Sequence, residues 1–454
     1  MWPSSEIIYL RRRLNSKVNI KKKINSEILR LSIPNVVSNI TVPLLGLVDL
    51  AMMGHLDDPV YIGAIALGGV IFSIIYHSFA FLRMGSSGFT AQAYGANNDK
   101  EISLVLIRSL IVAAGLAILL ILLQYPIQWI GFNMLDGSEE VKTLAREYFY
   151  IRIFAAPATL SLYALYGWFL GMQNARIPMI LAIVVNLVNI SFNFIFIYGF
   201  NMKSDGVALA SVLAQYTGLL LAIIFLIRKY KKYLLAFSRS VIFKIEEIKQ
   251  FFKVNSDIFI RTLLLLLVLA FFTSNSAKIG DNILAVNSLL FQFFFIFSYF
   301  ADGFAFAGEA LAGKAKGAGD QSLLKLTVKN LLKWGWGASI LFGLFFIVGL
   351  KPLLWIMTDN NELIELAYDY RYWIILLPIA SGVAFIWDGI YIGVTASKAM
   401  RNIMIIASIV VFLPSYYLTI HNLGNHALWL SLNLFMISRG ILMWLMAKRA
   451  VFGK

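Results

Sequence analysis

The chain has 454 residues, of which 59% are hydrophobic and 14% charged, and its mean hydropathy is +0.77. That is too apolar for a soluble globule of this length and marks an integral membrane protein. With no cysteine and four histidines, disulfides, thiolate metal sites and cysteine nucleophiles are excluded, and little remains for a metal or triad enzyme.

The net charge of +15 sits in short Lys and Arg blocks between apolar spans. Orientation in a bilayer requires that pattern, so no nucleic-acid partner is expected. Residues 1–30 hold Arg11 to Arg13, Lys17, Lys21 to Lys23 and Arg30, without the apolar core of a cleaved signal peptide, and are expected to be cytoplasmic. Ile24, Ile28, Leu29 and Leu31 recur at roughly helical spacing, which predicts a short surface helix feeding the first span. Twelve apolar segments follow, near 33–55, 61–83, 103–123, 143–171, 177–199, 206–228, 253–275, 283–306, 325–349, 364–394, 401–420 and 426–447.

The connections after spans 1, 3 and 9 are acidic, with Asp57 and Asp58, then Asp136, Glu139 and Glu140, then Asp359, Glu362 and Glu365. Those after spans 2, 4, 6, 8 and 10, with the termini, carry most of the bases. Both termini are therefore expected in the cytoplasm, in a plasma membrane that for a bacterium is the inner one. The expected organisation is an amino-terminal segment (1–30), a first lobe (31–228), a cytoplasmic inter-lobe loop (229–252), a second lobe (253–447) and a tail (448–454).

The sequence also repeats. Tyr94-Gly95-Ala96-Asn97-Asn98 answers Lys316-Gly317-Ala318-Gly319-Asp320, and Gly167-Trp168-Phe169-Leu170-Gly171 answers Gly389-Ile390-Tyr391-Ile392-Gly393, both at an offset of 222 residues. The fold class this predicts is an all-α polytopic membrane protein, with twelve transmembrane helices in two six-helix lobes. Because six is even, the lobes are parallel repeats about a pseudo-two-fold axis along the membrane normal, with a substrate path between them.

Within span 1, Asp49 is the one acid in an apolar run that also holds Pro34 and Pro43. A carboxylate near the centre of a span costs about 2.5 to 3.5 kcal/mol, so it faces a cavity or a partner. Span 1 runs outward, which places Asp49 roughly 8 Å below its outer end. Asn193 on span 5 and Ser211 on span 6 fall at a similar depth, and Asn186, Asn189 and Asn193 share one face of a helix at i, i+3, i+7. These amides either join neighbouring helices or form part of a polar site. A pair with Arg152 on span 4 would hold Asp49 ionised, whereas burial without a partner favours its neutral form and suits it to carry a proton.

The second half places its charges in the inner half of the membrane, with Asp257 and Arg261 at i, i+4 on span 7 and Asp302 and Asp388 near the inner ends of spans 8 and 10. With Glu309 they form either a structural ion-pair cluster or a cytoplasmic gate. Tyr163, Tyr166 and Trp168 on span 4 are candidates for lining a pathway for organic cations, which aromatic faces attract. The glycine segments at Gly95 and Gly317 join spans and are not phosphate loops. Without an ATPase domain, coupling falls to an ion gradient.

Three stretches carry a family resemblance: Leu47-Val48-Asp49-Leu50-Ala51-Met52-Met53-Gly54-His55-Leu56, Gly167 to Arg176, and Ala301-Asp302-Gly303-Phe304-Ala305-Phe306-Ala307-Gly308-Glu309-Ala310-Leu311. With Asp257 and Arg261, Asp388 to Gly393, and Arg401-Asn402, they resemble the multidrug and toxic compound extrusion (MATE) transporters, most nearly the DinF branch. The resemblance implies two six-helix lobes, alternating access, and export of lipophilic, often cationic compounds in exchange for protons or sodium ions. It also implies Asp49 as the cation-responsive acid, with Asn189, Asn193 and Ser211 around it. Relatives often place an aspartate where this chain has Asn193, and the lost carboxylate favours protons over sodium.

No cofactor beyond the coupling ion and no enzymatic activity are expected. The expected partners are a small lipophilic organic substrate and the lipid bilayer, with the protein a monomer. The alternatives are a flippase for a lipid-linked saccharide, which needs several deep arginines where this chain is expected to place only Arg152 and Arg261, and a membrane-embedded transferase or hydrolase, which needs clustered catalytic residues.

Overall fold

The computed structural model describes residues 21–41, 52, 59–234 and 239–453, and the chain is helical nearly throughout them. In a bilayer core every peptide group must find its partner within the chain, and an apolar sequence meets that need by forming helices. Helix α1 covers residues 21–41. The first lobe follows as α2 (Pro59–Ser78), α3 (Phe81–Gly95), α4 (Asp99–Leu122), α5 (Gln124–Met134), α6 (Glu139–Arg152), α7 (Ala156–Gly171), α8 (Arg176–Phe194) and α9 (Ser204–Tyr230). A short turn of helix, α10 (Arg239–Ile242), precedes the second lobe. That lobe comprises α11 (Ile245–Ile279), α12 (Asp281–Gly317), α13 (Gln321–Met357), α14 (Asn361–Asp369), α15 (Arg371–Gly393), α16 (Ser397–Ile406), α17 (Leu413–Leu423) and α18 (Asn425–Ala450).

Among the described residues, eleven helical segments are long and apolar enough to cross a membrane. They correspond to the second through twelfth expected spans; much of the first falls outside the described residues. Several spans are built from two helices. α6 and α7 meet through a 3-10 turn at Ile153–Ala155, where Pro157 in the first turn of α7 lacks the amide that would continue a straight ladder. Spans 5 and 11 each contain a π-helical segment, Ile195–Gly199 and Ala407–Phe412.

Helix α1 departs from expectation. It does feed the first span, without a break, but its apolar face packs on protein: Ile24, Ile28 and Leu31 are buried in a cluster with Val328, Leu331 and Ile386 of the second lobe. Asn39 Nδ2 donates to the Tyr299 carbonyl at 3.0 Å, and the backbone of α1 passes close against Gly303 of α12. The segment after α9 is also tied down. Arg108 of α4, itself buried, forms ion pairs with Glu101 (3.2 Å) and Glu247 (2.7 Å) and donates to the carbonyls of Val241 and Ile242.

The sequence repeat is a structural one. The loops after α3 and α12 carry positive φ at Asn97 and Gly319, and those after α7 and α15 at Gln173 and Thr395, each pair 222 residues apart. Asn98 and Asp320, at the same offset, cap the helices that follow by accepting from backbone amides.

Candidate functional site

The first-lobe polar residues come together between α8 and α9. Asn193 Nδ2 donates to Asn189 Oδ1 at 3.0 Å, and Asn189 Nδ2 donates to Ser211 Oγ at 3.1 Å. Both asparagines are buried. One turn and more toward the other end of α8, Asn186 Nδ2 donates to the Thr41 carbonyl at 3.1 Å, which links this stripe to the end of α1. Asp49 lies outside the described residues, further along the segment that leaves Thr41. Amides and hydroxyls both donate and accept, so such a chain can solvate a carboxylate in its ionised or its protonated form.

Arg152 stacks its guanidinium on Phe72 (5.1 Å to the ring centroid) and Tyr148 (5.3 Å) and donates to the Tyr148 hydroxyl. Tyr163 packs on the cluster around Phe72 and Phe149, while Tyr166 packs on a different cluster around Leu162 and Leu165. Trp168 does not line a pathway here: it is fully buried, and its Nε1 donates to the Ile102 carbonyl at 3.0 Å. Its indole N–H needed a partner in the apolar core, and α4 supplies it.

The lobes meet along α3, α7, α12 and α15, from the start of α3 to the ends of α3 and α12. Arg83 of α3 donates both Nη atoms to Glu309 of α12, at 3.2 and 3.3 Å, and lies 3.8 Å from the centroid of the Phe306 ring. Gln92 Nε2 donates to the Gly393 carbonyl and to Thr395 Oγ1, and Gln173 Nε2 donates across to the Ala310 carbonyl. The approach is so close that a Cβ on Gly95 would stand 2.0 Å from the Lys314 carbonyl oxygen, and one on Gly317 would stand 1.9 Å from that of Gln92. These contacts are symmetry mates, since Gln92 and Lys314 are themselves 222 residues apart.

In the second lobe, Asp257 and Arg261 share a helix face but not a partner. Asp257 accepts from Arg401 at 2.6 Å and from Ser397 at 2.9 Å. Arg261 and Arg439 both engage Asp388 Oδ2, Arg439 at 2.5 Å, while Asp388 Oδ1 has no partner among the described residues. Asp302 is half-buried without a hydrogen bond among the described residues, within Coulombic reach of Arg83, Arg261, Asp388 and Glu309. The expectation that only Arg152 and Arg261 are deep is therefore corrected: Arg83 and Arg439 are buried or nearly so, each facing a buried carboxylate. A lone base in an apolar span is the signal that marks both, by the logic that singled out Asp49. Among the described residues no three acidic or imidazole side chains converge as a metal site needs.

Two helical lobes repeated about one axis, joined by buried polar contacts, define a polytopic membrane transporter of the twelve-helix, two-lobe type. The chain belongs to the MATE family: the MatE family model matches residues 34–195 and 258–418. DNA damage-inducible protein F of Escherichia coli is 38% identical over 413 residues, 90% of this chain and 89% of that one. The probable multidrug resistance protein NorM of Thermotoga maritima is 25% identical over 360 residues, 76% of this chain and 75% of its own. Among solved structures, the Vibrio cholerae MATE transporter VcmN in the bent form superposes with a TM-score of 0.84 at 20% identity, covering 95% of this chain and 98% of that one. A MOP superfamily transporter from Pyrococcus furiosus gives 0.85 at 20% identity, covering 94% and 96%.

Proposed function

We propose that this protein is a secondary active antiporter that exports lipophilic, cationic organic compounds in exchange for protons, alternating between an outward-facing and an inward-facing arrangement of its lobes. The observation that carries the proposal is the hydrogen-bonded chain of Asn193, Asn189 and Ser211 beside the helix that leads to Asp49. Relatives named for multidrug resistance and for multidrug and toxin extrusion support the substrate class.

Asp49 is the coupling acid. Protonation removes its charge and with it a desolvation cost of several kcal/mol, enough to shift span 1 between two hydrogen-bonding arrangements. Asn186, bonded to the end of α1, moves with that shift. The Arg83 to Glu309 pair closes the path at the cytoplasmic side and breaks when that side opens. With an amide at Asn193 the site offers one carboxylate fewer for sodium, so the proton is the coupling ion. The protein works as a monomer in the bacterial inner membrane, both termini in the cytoplasm, with the bases between spans holding that orientation.

The test is transport of a fluorescent lipophilic cation by the protein reconstituted in vesicles, with proton and sodium gradients imposed separately. Transport driven by the proton gradient alone is the expected result. Transport driven by sodium alone would overturn the choice of ion, and none under either gradient would overturn the substrate class.

A further inference from the structure

At the end of the second lobe where α11 begins and α18 finishes, the surface opens into a cavity of about 830 Å³ between α11, α16 and α18. Three cations border it, Lys253 on α11, Lys398 on α16 and Arg449 on α18, all exposed and none in an ion pair among the described residues. Asp257 is the acid in its wall, but that carboxylate is buried, its charge paired with Arg401 and its other oxygen accepting from Ser397. The cavity therefore carries uncompensated positive charge. Its inner wall is of the opposite character. Leu445 and Met446, about one turn of α18 from Arg449, are 58% and 37% exposed.

Exposed apolar side chains call for an occupant that is not water, and unpaired cations call for an anion. One molecule in a membrane meets both needs in this order of depth. We infer that the cavity binds an anionic phospholipid, its phosphate among Lys253, Lys398 and Arg449 and an acyl chain against Leu445 and Met446. A free phosphate would satisfy the cations and leave the apolar wall bare. Under the orientation proposed above the lipid belongs to the cytoplasmic leaflet, but binding itself does not depend on that orientation.

Native mass spectrometry of the detergent-purified full chain tests this, with phosphatidylglycerol and phosphatidylcholine added in parallel. The wild type should bind phosphatidylglycerol at least about tenfold more tightly, since each cation near a headgroup contributes about fivefold. The triple variant Lys253→Gln, Lys398→Gln, Arg449→Gln should lose that preference. Removing equal charge from the exposed start of α1, with Lys21→Gln, Lys22→Gln and Lys23→Gln, should leave it intact. Leu445→Asn, which changes no charge, should weaken phosphatidylglycerol binding, and this variant keeps the test valid if the triple variant fails to fold. An equal loss in both triple variants would make the attraction a diffuse surface effect and overturn the site. Displacement of the lipid by millimolar inorganic phosphate, or no preference in the wild type, would overturn it as well.

Discussion

Asp388 holds the guanidinium groups of Arg261 and Arg439 on one carboxylate oxygen, all three side chains buried. Removing the acid leaves two buried guanidinium groups without their hydrogen-bonded carboxylate, with Asp302 the nearest remaining acid, and breaking such a pair costs about 3 to 5 kcal/mol. Asp388→Asn should therefore lower the melting temperature in detergent well below that of a surface control such as Asp359→Asn; equal melting would show the cluster to be dispensable. The Arg83 to Glu309 pair has a different role because it joins the lobes. Glu309→Gln should raise the labelling of cysteines placed between the lobes beside this pair about fivefold, the factor set by losing an ion pair worth about 1 kcal/mol. Exchanging the pair, with Arg83→Glu and Glu309→Arg together, should restore protection. No change in Glu309→Gln would remove the pair as a closing contact. Sequence position alone placed Asp257 and Arg261 on one helix face, yet each binds a residue on another helix. Which partner a buried charge finds depends on how helices far apart in sequence pack, and helical spacing does not contain that information.

The paired elements make a sharper test, because the two halves should fail alike. Gly95 and Gly317 let α3 and α12 approach so closely that each backbone lies against the carbonyl of the other lobe. Gly95→Ala and Gly317→Ala should each open this end, to a similar extent, in the same labelling assay; an effect from one and not the other would contradict the symmetric account. The caps at Asn98 and Asp320 are equivalent in position but differ in chemistry. Hydrogen bonds from the Leu323 and Ser322 amides and the Ser322 hydroxyl hold the Asp320 carboxyl below its ordinary value of 3.8. Its cap is therefore fully present above that value and is lost as the pH falls through the lowered one. Amide exchange at Ser322 and Leu323, relative to the intrinsic rate, should rise only once the pH falls below 3.8, while Glu101, capped by Asn98, should show no such titration of its cap. The glycine motifs that repeat in sequence were legible because close backbone approach admits no other residue. The π-helical segments were not, since their placement in spans 5 and 11 carries no comparable side-chain signature.

At the scale of the molecule, the two lobes and their common orientation follow from hydropathy, charge placement and the repeat, all of which act along the chain. What the sequence did not contain was the position of α1, whose first turns pack on the second lobe although they precede the first. Its apolar face suits a membrane surface and a protein surface equally, and only the tertiary structure decides between them. That position ties the element leading to Asp49 to both lobes: α12 through Asn39, and α8 through Asn186. Under the proposed mechanism, a change of protonation at Asp49 would pass from span 1 to both lobes through these hydrogen bonds. The most direct test of the account is proton-driven efflux of a lipophilic cation from vesicles containing Asp49→Asn, with folding checked by melting temperature. The account predicts a folded protein in which gradient-driven efflux is lost. Efflux at the wild-type rate from that variant would contradict it.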